Sequence, residues 1–264
     1  MNNPVEYNQV MYHLGLSKKN IAEAQYVLLP GDPGRVESIA QSFTNPKFLA
    51  KHREYTSWLA YAGDLPVLIC STGMGGPSVS ICVEELAQLG VKNFIRVGTT
   101  GAIQPQIELG DLIINDAAVR LDGASKHYAP IEFPAVADLA LTNILVEVAE
   151  EEKIPYHVGI SVSSDTFWPG QERYDSYSGY VIRAYQGSLA EWRSLGAYNY
   201  EMETATLFIV AKVLGLRAAS ICGVVAQRGV SENISSADIY NRASERFIKV
   251  VHRALNKLNL RGKK

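Results

Sequence analysis

The chain has 264 residues, 47% of them hydrophobic, and a formal net charge of −2 at pH 7. This length and apolar content suffice for a full core, as one large α/β domain or two small ones. The near balance of charge excludes a basic field that would draw in a nucleic-acid backbone. Three cysteines (Cys70, Cys82, Cys222) sit inside apolar runs, cannot all pair, and are expected to be buried reduced thiols. No H-E-x-x-H or C-x-x-C metal spacing occurs. There is no basic-then-apolar leader and no apolar run of membrane-spanning length, so a soluble cytoplasmic protein that engages neither nucleic acid nor membrane is expected.

In chain order, "YVLLP" (26–30) reads as a strand running into the turn "GDPGR" and the helical pattern "RVESIAQSF". "PVLICST" (66–72) reads as a second strand. The helix that follows (77–90) opens on Pro77, closes on Gly90, and has Val79, Cys82, Val83 and Leu86 on one face. "NFIRVGT" (93–99), "DLIINDAAV" (111–119) and "HVGISVSS" (157–164) are short β-branched runs, and the spacing of Leu141, Ile144, Leu145 and Val148 predicts a helix over 134–153. "ETATLFIVAKVLG" (203–215) leads as a helix into the strand "RAASICGVVA" (217–226), and 235–258 forms a long closing helix. Continuous apolar strands separated by helices imply a sheet buried on both faces, with ligands collecting where strands end. No linker or repeat interrupts the pattern, which predicts one three-layer α/β domain.

Several strand ends carry candidate chemistry. Gly31, Gly34 and Arg35 follow the first strand, where backbone N–H groups and a guanidinium suit an anion; a plain tight turn is the alternative. Arg96 lies inside an apolar strand, so it must bind an anion or pair with a core carboxylate, and Thr99, Thr100 and Gly101 come next. Arg53 in "HREYTSW" and His13 in "MYHLGL" read by themselves as surface residues. The long loop 163–180 offers Phe167 and Trp168 as a wall. Gln171 and Arg173, two apart, would point the same way on an extended backbone and suit a flat heterocycle with carbonyls. Glu201, Met202 and Glu203 precede a helix, as dipole partners or as a carboxylate for a sugar diol. Arg228 lies just past the last strand. Together these groups provide for a phosphate, a sugar and a base.

The stretches "HLGL", "PGDPGRV", "STGMGGPS", "EELAQLGV", "RVGTTGAIQP", "VRLDGASKHYAPIEFPAVAD", "SSDTFWPGQERYD" and "NYEMETATL" resemble the nucleoside phosphorylase family over nearly the whole chain, and "FWPGQERYD" resembles its uridine-type branch. The resemblance implies a single domain over residues 1–264, a three-layer αβα fold around a central mixed sheet, and reversible phosphorolysis of uridine, with deoxyuridine or thymidine as further substrates, in pyrimidine salvage. It implies that Gly31, Arg35, Arg96 and Thr99 hold phosphate, with Arg53 supplied by a neighbouring subunit. Met202 and Glu203 would hold the ribose, joined by the neighbour's His13. Gln171 and Arg173 would read the base, with Arg228 supporting Arg173 and with Phe167, Thr100 and Gly101 lining the pocket. Arg96, Glu203, Gln171 and Arg173 would form the catalytic set. The family forms hexamers as trimers of dimers with shared sites. It needs no cofactor beyond phosphate as co-substrate, and some members bind a structural K+ or Na+ at positions matching Glu54, Met74 and Ser78.

Departures from enterobacterial relatives fall at Trp168, where they have tyrosine, at Ala226 and Gln227, where they have a larger apolar residue and asparagine, and in the closing loop "GVSENISS" (229–236). Purine phosphorylases and nucleosidases of the same fold carry an aspartate after the last core strand, where this chain reads "VVAQRG". A non-catalytic nucleotide-binding module is the alternative from another class. "GTTGA" is a poor match to the dinucleotide glycine pattern, which leaves an NAD-type dehydrogenase remote.

Overall fold

The computed structural model describes residues 5–229 and 235–262. The first strand, β1 (Tyr26–Leu29), shows how the core is divided: Val27 and Leu29 enter one apolar cluster and Leu28 the other. Successive strand side chains point to opposite faces, so an unbroken apolar run supplies two cores at once. After a turn and the short helix α1 (Val36–Ala40), the hairpin of β2 (Thr44–His52) and β3 (Tyr55–Ala62) leads to β4 (Leu65–Cys70). Helix α2 (Gly76–Leu89) has Pro77 in its first turn and ends at Gly90, whose φ of +112° forms a left-handed cap with its N–H turned back on the carbonyls of Ala87 and Leu86.

Next come β5 (Asn93–Ala102), β6 (Leu112–Leu121), β7 (Ala135–Val136) and α3 (Leu139–Glu151). The helix predicted from residue 134 begins at Leu139, because Ala135 and Val136 pair with β6 and Asp138 caps the helix by accepting the Leu141 N–H. The chain finishes with β8 (Tyr156–Ser164), α4 (Ser188–Ser194), β9 (Asn199–Glu201), α5 (Thr204–Val213), β10 (Arg217–Gln227) and α6 (Ala237–Gly262).

Among the described residues, all ten strands join one mixed sheet. β2, β3, β4 and β1 lie in that order beside the first half of β5. From β5 the sheet closes on itself, with β5 pairing with β10, β10 with β6, β6 with β8, β8 with β9, and β9 with the end of β5. Helices α2 and α5 cover one face, and α1, α3 and α6 the other. The expected layering of helices about a mixed sheet is therefore present, with a five-strand ring built into it. Each ring strand contributes a buried polar side chain to one network: Thr100, Asn115, Ser161, Asn199 and Ser220. Asn115 Nδ2 donates to Asn199 Oδ1 at 2.8 Å, Asn199 Nδ2 to Thr100 Oγ1 at 2.8 Å, and Ser220 Oγ to Asn115 Oδ1 at 3.2 Å. Such groups stay buried only because each finds a partner. Ser161 carries the network up to Glu201, at the edge of the site.

Candidate active site

The ends of β1, β5 and β10 and the start of α5 surround a cavity of about 540 Å³, within the range of small-molecule sites. Gly31, Arg35, Arg96, Thr99, Thr100, Gly101, Phe167, Gln171, Arg173, Met202 and Glu203 all line it. Residues that the sequence spreads over more than half the chain thus share one space.

The turn after β1 works differently from its sequence reading. Residues 33–35 form a single 3-10 turn in which the Asp32 carboxylate accepts the Gly34 N–H at 2.8 Å and the Asp32 carbonyl accepts the Arg35 N–H at 3.1 Å. Those two amides are spent within the loop, so the expected cradle of N–H groups shrinks to the Gly31 end and the Arg35 side chain. A Cβ at Gly31 would lie 3.2 Å from the Gly73 carbonyl oxygen and 3.9 Å from Arg35 Nη2, which explains glycine there. Arg35 Nε and Nη1 are shielded and have no hydrogen-bond partner among the described residues. Burial, with repulsion from Arg96, pulls the Arg35 guanidinium below its ordinary pKa.

Arg96 pairs with core carboxylates, one of its two sequence readings, and it also lines the cavity. It is 5% exposed; its Nη2 lies 2.6 Å from Glu203 Oε2, and its Nε 3.1 Å from Glu201 Oε2, close enough for charge pairing though off the line of a good hydrogen bond. Burial opposes its charge, but Glu203, Cys222 and Glu201 outweigh that penalty and hold the guanidinium above its usual pKa. A Cβ on Gly98 would come within 2.9 Å of the guanidinium and of Cys222 Sγ, so glycine leaves the lane in which Arg96 lies. Glu203 also accepts the Gly75 N–H at 2.6 Å. Its carboxyl is raised by burial and by Glu201 despite Arg96.

Glu201, read from the sequence as a helix-dipole partner or a diol carboxylate, is given no role by the resemblance. Its Oε1 accepts the hydroxyls of Ser161 and Ser163, and its Oε2 accepts the N–H groups of Glu203 and Thr204, each at 2.8 Å. It fixes Arg96 and the backbone of Glu203 together. The signal for it was the E-x-E spacing, which sets Glu201 at the end of β9 and Glu203 directly before α5.

At the base end, Gln171 and Arg173 are 4% and 2% exposed. The extended backbone expected for them is not present. Pro169–Gln171 is a 3-10 turn, and Glu172 is left-handed with φ +51°, so a chain reversal brings both side chains to the cavity. The Arg173 guanidinium stacks 4.2 Å over the Phe167 ring. Arg228 supports the segment through its carbonyls, with Nη2 at 2.9 Å from Gln171 O and 3.4 Å from Glu172 O. The Thr100 hydroxyl donates to Tyr200 O at 2.6 Å and accepts from Asn199, so Thr100 contributes wall and not a free donor. Gln227 faces away, donating to the carbonyls of Gln104 and Ile107. Trp168 is exposed, while Ala226, Val225, Tyr200 and Tyr240 line the cavity; nothing in the sequence pattern singled out the start of α6 that supplies Tyr240. Residues 230–234 of the closing loop lie outside the described residues.

His13 and Arg53 do not line this chain's cavity. The Nδ1 of His13 lies 2.7 Å from Glu85 Oε1, and Glu85 also accepts the backbone N–H groups of His13 and Leu14. Arg53 is exposed at the β2–β3 turn with φ +53°. His52 joins the two regions through the His13 carbonyl at 2.8 Å. Glu54 and Met74 line the cavity mouth, and the Ser78 hydroxyl donates to the Met74 carbonyl at 3.1 Å.

The sequence pattern of the Phosphorylase superfamily matches residues 25–256. The chain belongs to the phosphorylase superfamily. Within it, the chain is 53% identical to a uridine phosphorylase of Haemophilus influenzae over 241 residues, 91% of this chain and 95% of that protein. It is 51% identical to a uridine phosphorylase of Escherichia coli (strain K12) over 248 residues, 94% of this chain and 98% of that protein. A guanosine phosphorylase of Halorubrum lacusprofundi is 36% identical over 92% of the chain and 94% of its own length. The superfamily therefore includes relatives named for pyrimidine and for purine substrates, and the cavity must decide between them. Carboxylates line it at Asp32, Glu54, Glu201 and Glu203, while Val225 and Ala226 line it from the end of β10.

Proposed function

We propose that the chain is a uridine phosphorylase, a pentosyltransferase that converts uridine and phosphate into uracil and ribose 1-phosphate, reversibly. The observation that carries the reading is one cavity lined by the half-buried Arg35, the buried Arg96, a carboxylate suited to a sugar diol, and an amide beside a guanidinium stacked on an aromatic ring. Phosphate is a weak nucleophile, so placement does most of the work. Arg35 and Arg96, with Thr99 and the Gly31 backbone, seat it below C1′, while Glu203 and Met202 hold the ribose. A phosphate oxygen forms a bond to C1′ as the C1′–N1 bond breaks, and the electron pair passes to uracil. Gln171 and Arg173 stabilise the growing negative charge at the base carbonyls. The pyrimidine leaves as an anion without a ring-nitrogen acid, in keeping with the absence of an aspartate after β10.

The finer parts of the reading concern assembly. Arg53 and His13 would enter the site of a second copy, in a hexamer built as a trimer of dimers. Their exposed surroundings, with Val10 and Tyr12 beside His13, favour a covered face. A K+ or Na+ at Glu54, Met74 and Ser78 fits a carboxylate, a carbonyl and a hydroxyl, oxygen donors of the kind hard cations take. No helix among the described residues is long and apolar enough to cross a membrane, and we place the activity in the cytoplasm. The test is phosphate-dependent loss of uridine absorbance beside inosine. Faster cleavage of inosine would move the chain to the purine side, and binding without turnover would make it a nucleotide-binding module.

A further inference from the structure

Glu172 is a non-glycine residue held at φ +51° and ψ +49°, a conformation that L-residues adopt at a cost and that is often retained where function needs it. It is 8% exposed and sits between the two residues assigned to the base, yet its side chain does not line the cavity. Its Oε1 accepts the Gly187 N–H and, at 3.1 Å, the Tyr174 hydroxyl. Its Oε2 accepts the Leu189 N–H at 2.6 Å. One carboxylate thus reaches across 15 and 17 residues to the beginning of α4, while the carbonyls of Gln171 and Glu172 are gripped by Arg228 from the other side.

We infer that Glu172 is a positioning residue that sets Gln171 and Arg173 in their base-reading geometry. The inference rests on the reading of the cavity as a uridine site. The left-handed turn throws the two flanking side chains toward the cavity and the Glu172 side chain to the opposite side. The turn is stable in this form only while the outward carboxylate is held, because the backbone bonds that close it, Glu172 N–H to Pro169 O and Arg173 N–H to Trp168 O, span a mere turn. Charge-assisted bonds from backbone amides are the strong ones, and both carboxylate oxygens are engaged. Glutamine would therefore set an NH2 group against at least one of these donors. Glycine would relieve the backbone and lose the anchor, so neither neutral replacement preserves the arrangement.

The test compares the wild type with Glu172→Gln and Glu172→Gly, measuring KM separately for uridine and for phosphate, uracil binding by calorimetry, and hydrogen exchange in the 187–189 peptide. Losing charge-assisted bonds raises the uridine KM about tenfold or more, with the phosphate KM within about twofold and faster exchange at 187–189. The glycine variant follows the same pattern without folding strain, which separates anchoring from backbone shape. Unchanged uridine KM with faster exchange reduces Glu172 to a helix cap and overturns the inference. Equal losses in both KM values show general damage and overturn it as well. A wild type that neither cleaves uridine nor binds uracil removes the functional reading and this inference with it, whereas wild-type turnover beside an unaffected variant removes the inference alone.

Discussion

Replacing Arg96 with alanine separates what the site does for the fold from what it does for phosphate. Arg96 is the counter-ion of two buried carboxylates, at 2.6 Å from Glu203 and 3.1 Å from Glu201. Removing one partner of such a buried group costs about 3–5 kcal/mol, because the charge left behind has no compensation. The variant therefore unfolds earlier, and it also loses its phosphate seat, with the phosphate kcat/KM falling by at least about a hundredfold. Adding Glu201→Gln should restore part of the stability, since Glu203 stays without its counter-ion. The amide oxygen can keep the N–H groups of Glu203 and Thr204, and the NH2 can donate to Ser161 and Ser163 once their hydroxyls rotate. Phosphate use should not recover in that pair of changes. Denaturant melts and phosphate-varied kinetics on the two single variants and the double variant form the assay. Near-normal phosphate kinetics in Arg96→Ala, or recovery of both properties in the double variant, would refute the reasoning.

A double change of Gln171 and Arg173 to alanine should lower uridine turnover by about a hundredfold or more, as for loss of donors at a developing anion, while phosphate still protects the protein against thermal unfolding; loss of that protection would place them in the phosphate seat. Mixing Arg53→Ala with Arg96→Ala chains through unfolding and refolding should regenerate turnover that neither homogeneous protein shows, since one site of each hybrid dimer is then whole. No regain would put both residues in one chain's site. On the surface, hydrogen bonds from Lys257 and Arg261 hold the Glu147 carboxyl below 4.5, and those from Lys249, with the Arg253 charge, do the same for Glu152. A depressed folded pKa gives stability that is present above the unfolded value and is lost as pH falls through the folded one. The melting-temperature gap between wild type and Lys249→Met/Lys257→Met should therefore close as pH drops below 4.5, and a gap that persists at lower pH would contradict this assignment.

The parts of the fold legible in the sequence were those whose apolar content exceeds any surface need. β1, β4, β5, β10 and most of α5 announce themselves because both their faces are buried, and α2 by the one apolar face it packs on the sheet. The hairpin strand β2 does not, since "TNPKFLAKH" is exposed along most of its length and reads as loop. Ring closure was hidden for the opposite reason. Asn115, Ser161, Asn199 and Ser220 have the composition of turns, yet each is fully buried against the others. The site residues were read from types at strand ends, which located Arg35, Arg96 and Glu203 correctly in the cavity. The reason given for Gln171 and Arg173 failed, because a left-handed Glu172 brings them together where an extended strand was expected. Arg53 and His13 show the limit of one chain, as neither lies at its own cavity.

The central claim is that bond cleavage at C1′ is performed by phosphate held on Arg35 and Arg96. The measurement that tests it most directly is phosphorus and proton NMR of uridine, and of inosine beside it, incubated with the protein, with and without phosphate. The account predicts ribose 1-phosphate and uracil in equal amounts when phosphate is present and neither when it is absent. Free ribose appearing without phosphate, or inosine consumed faster than uridine under the same conditions, would contradict it.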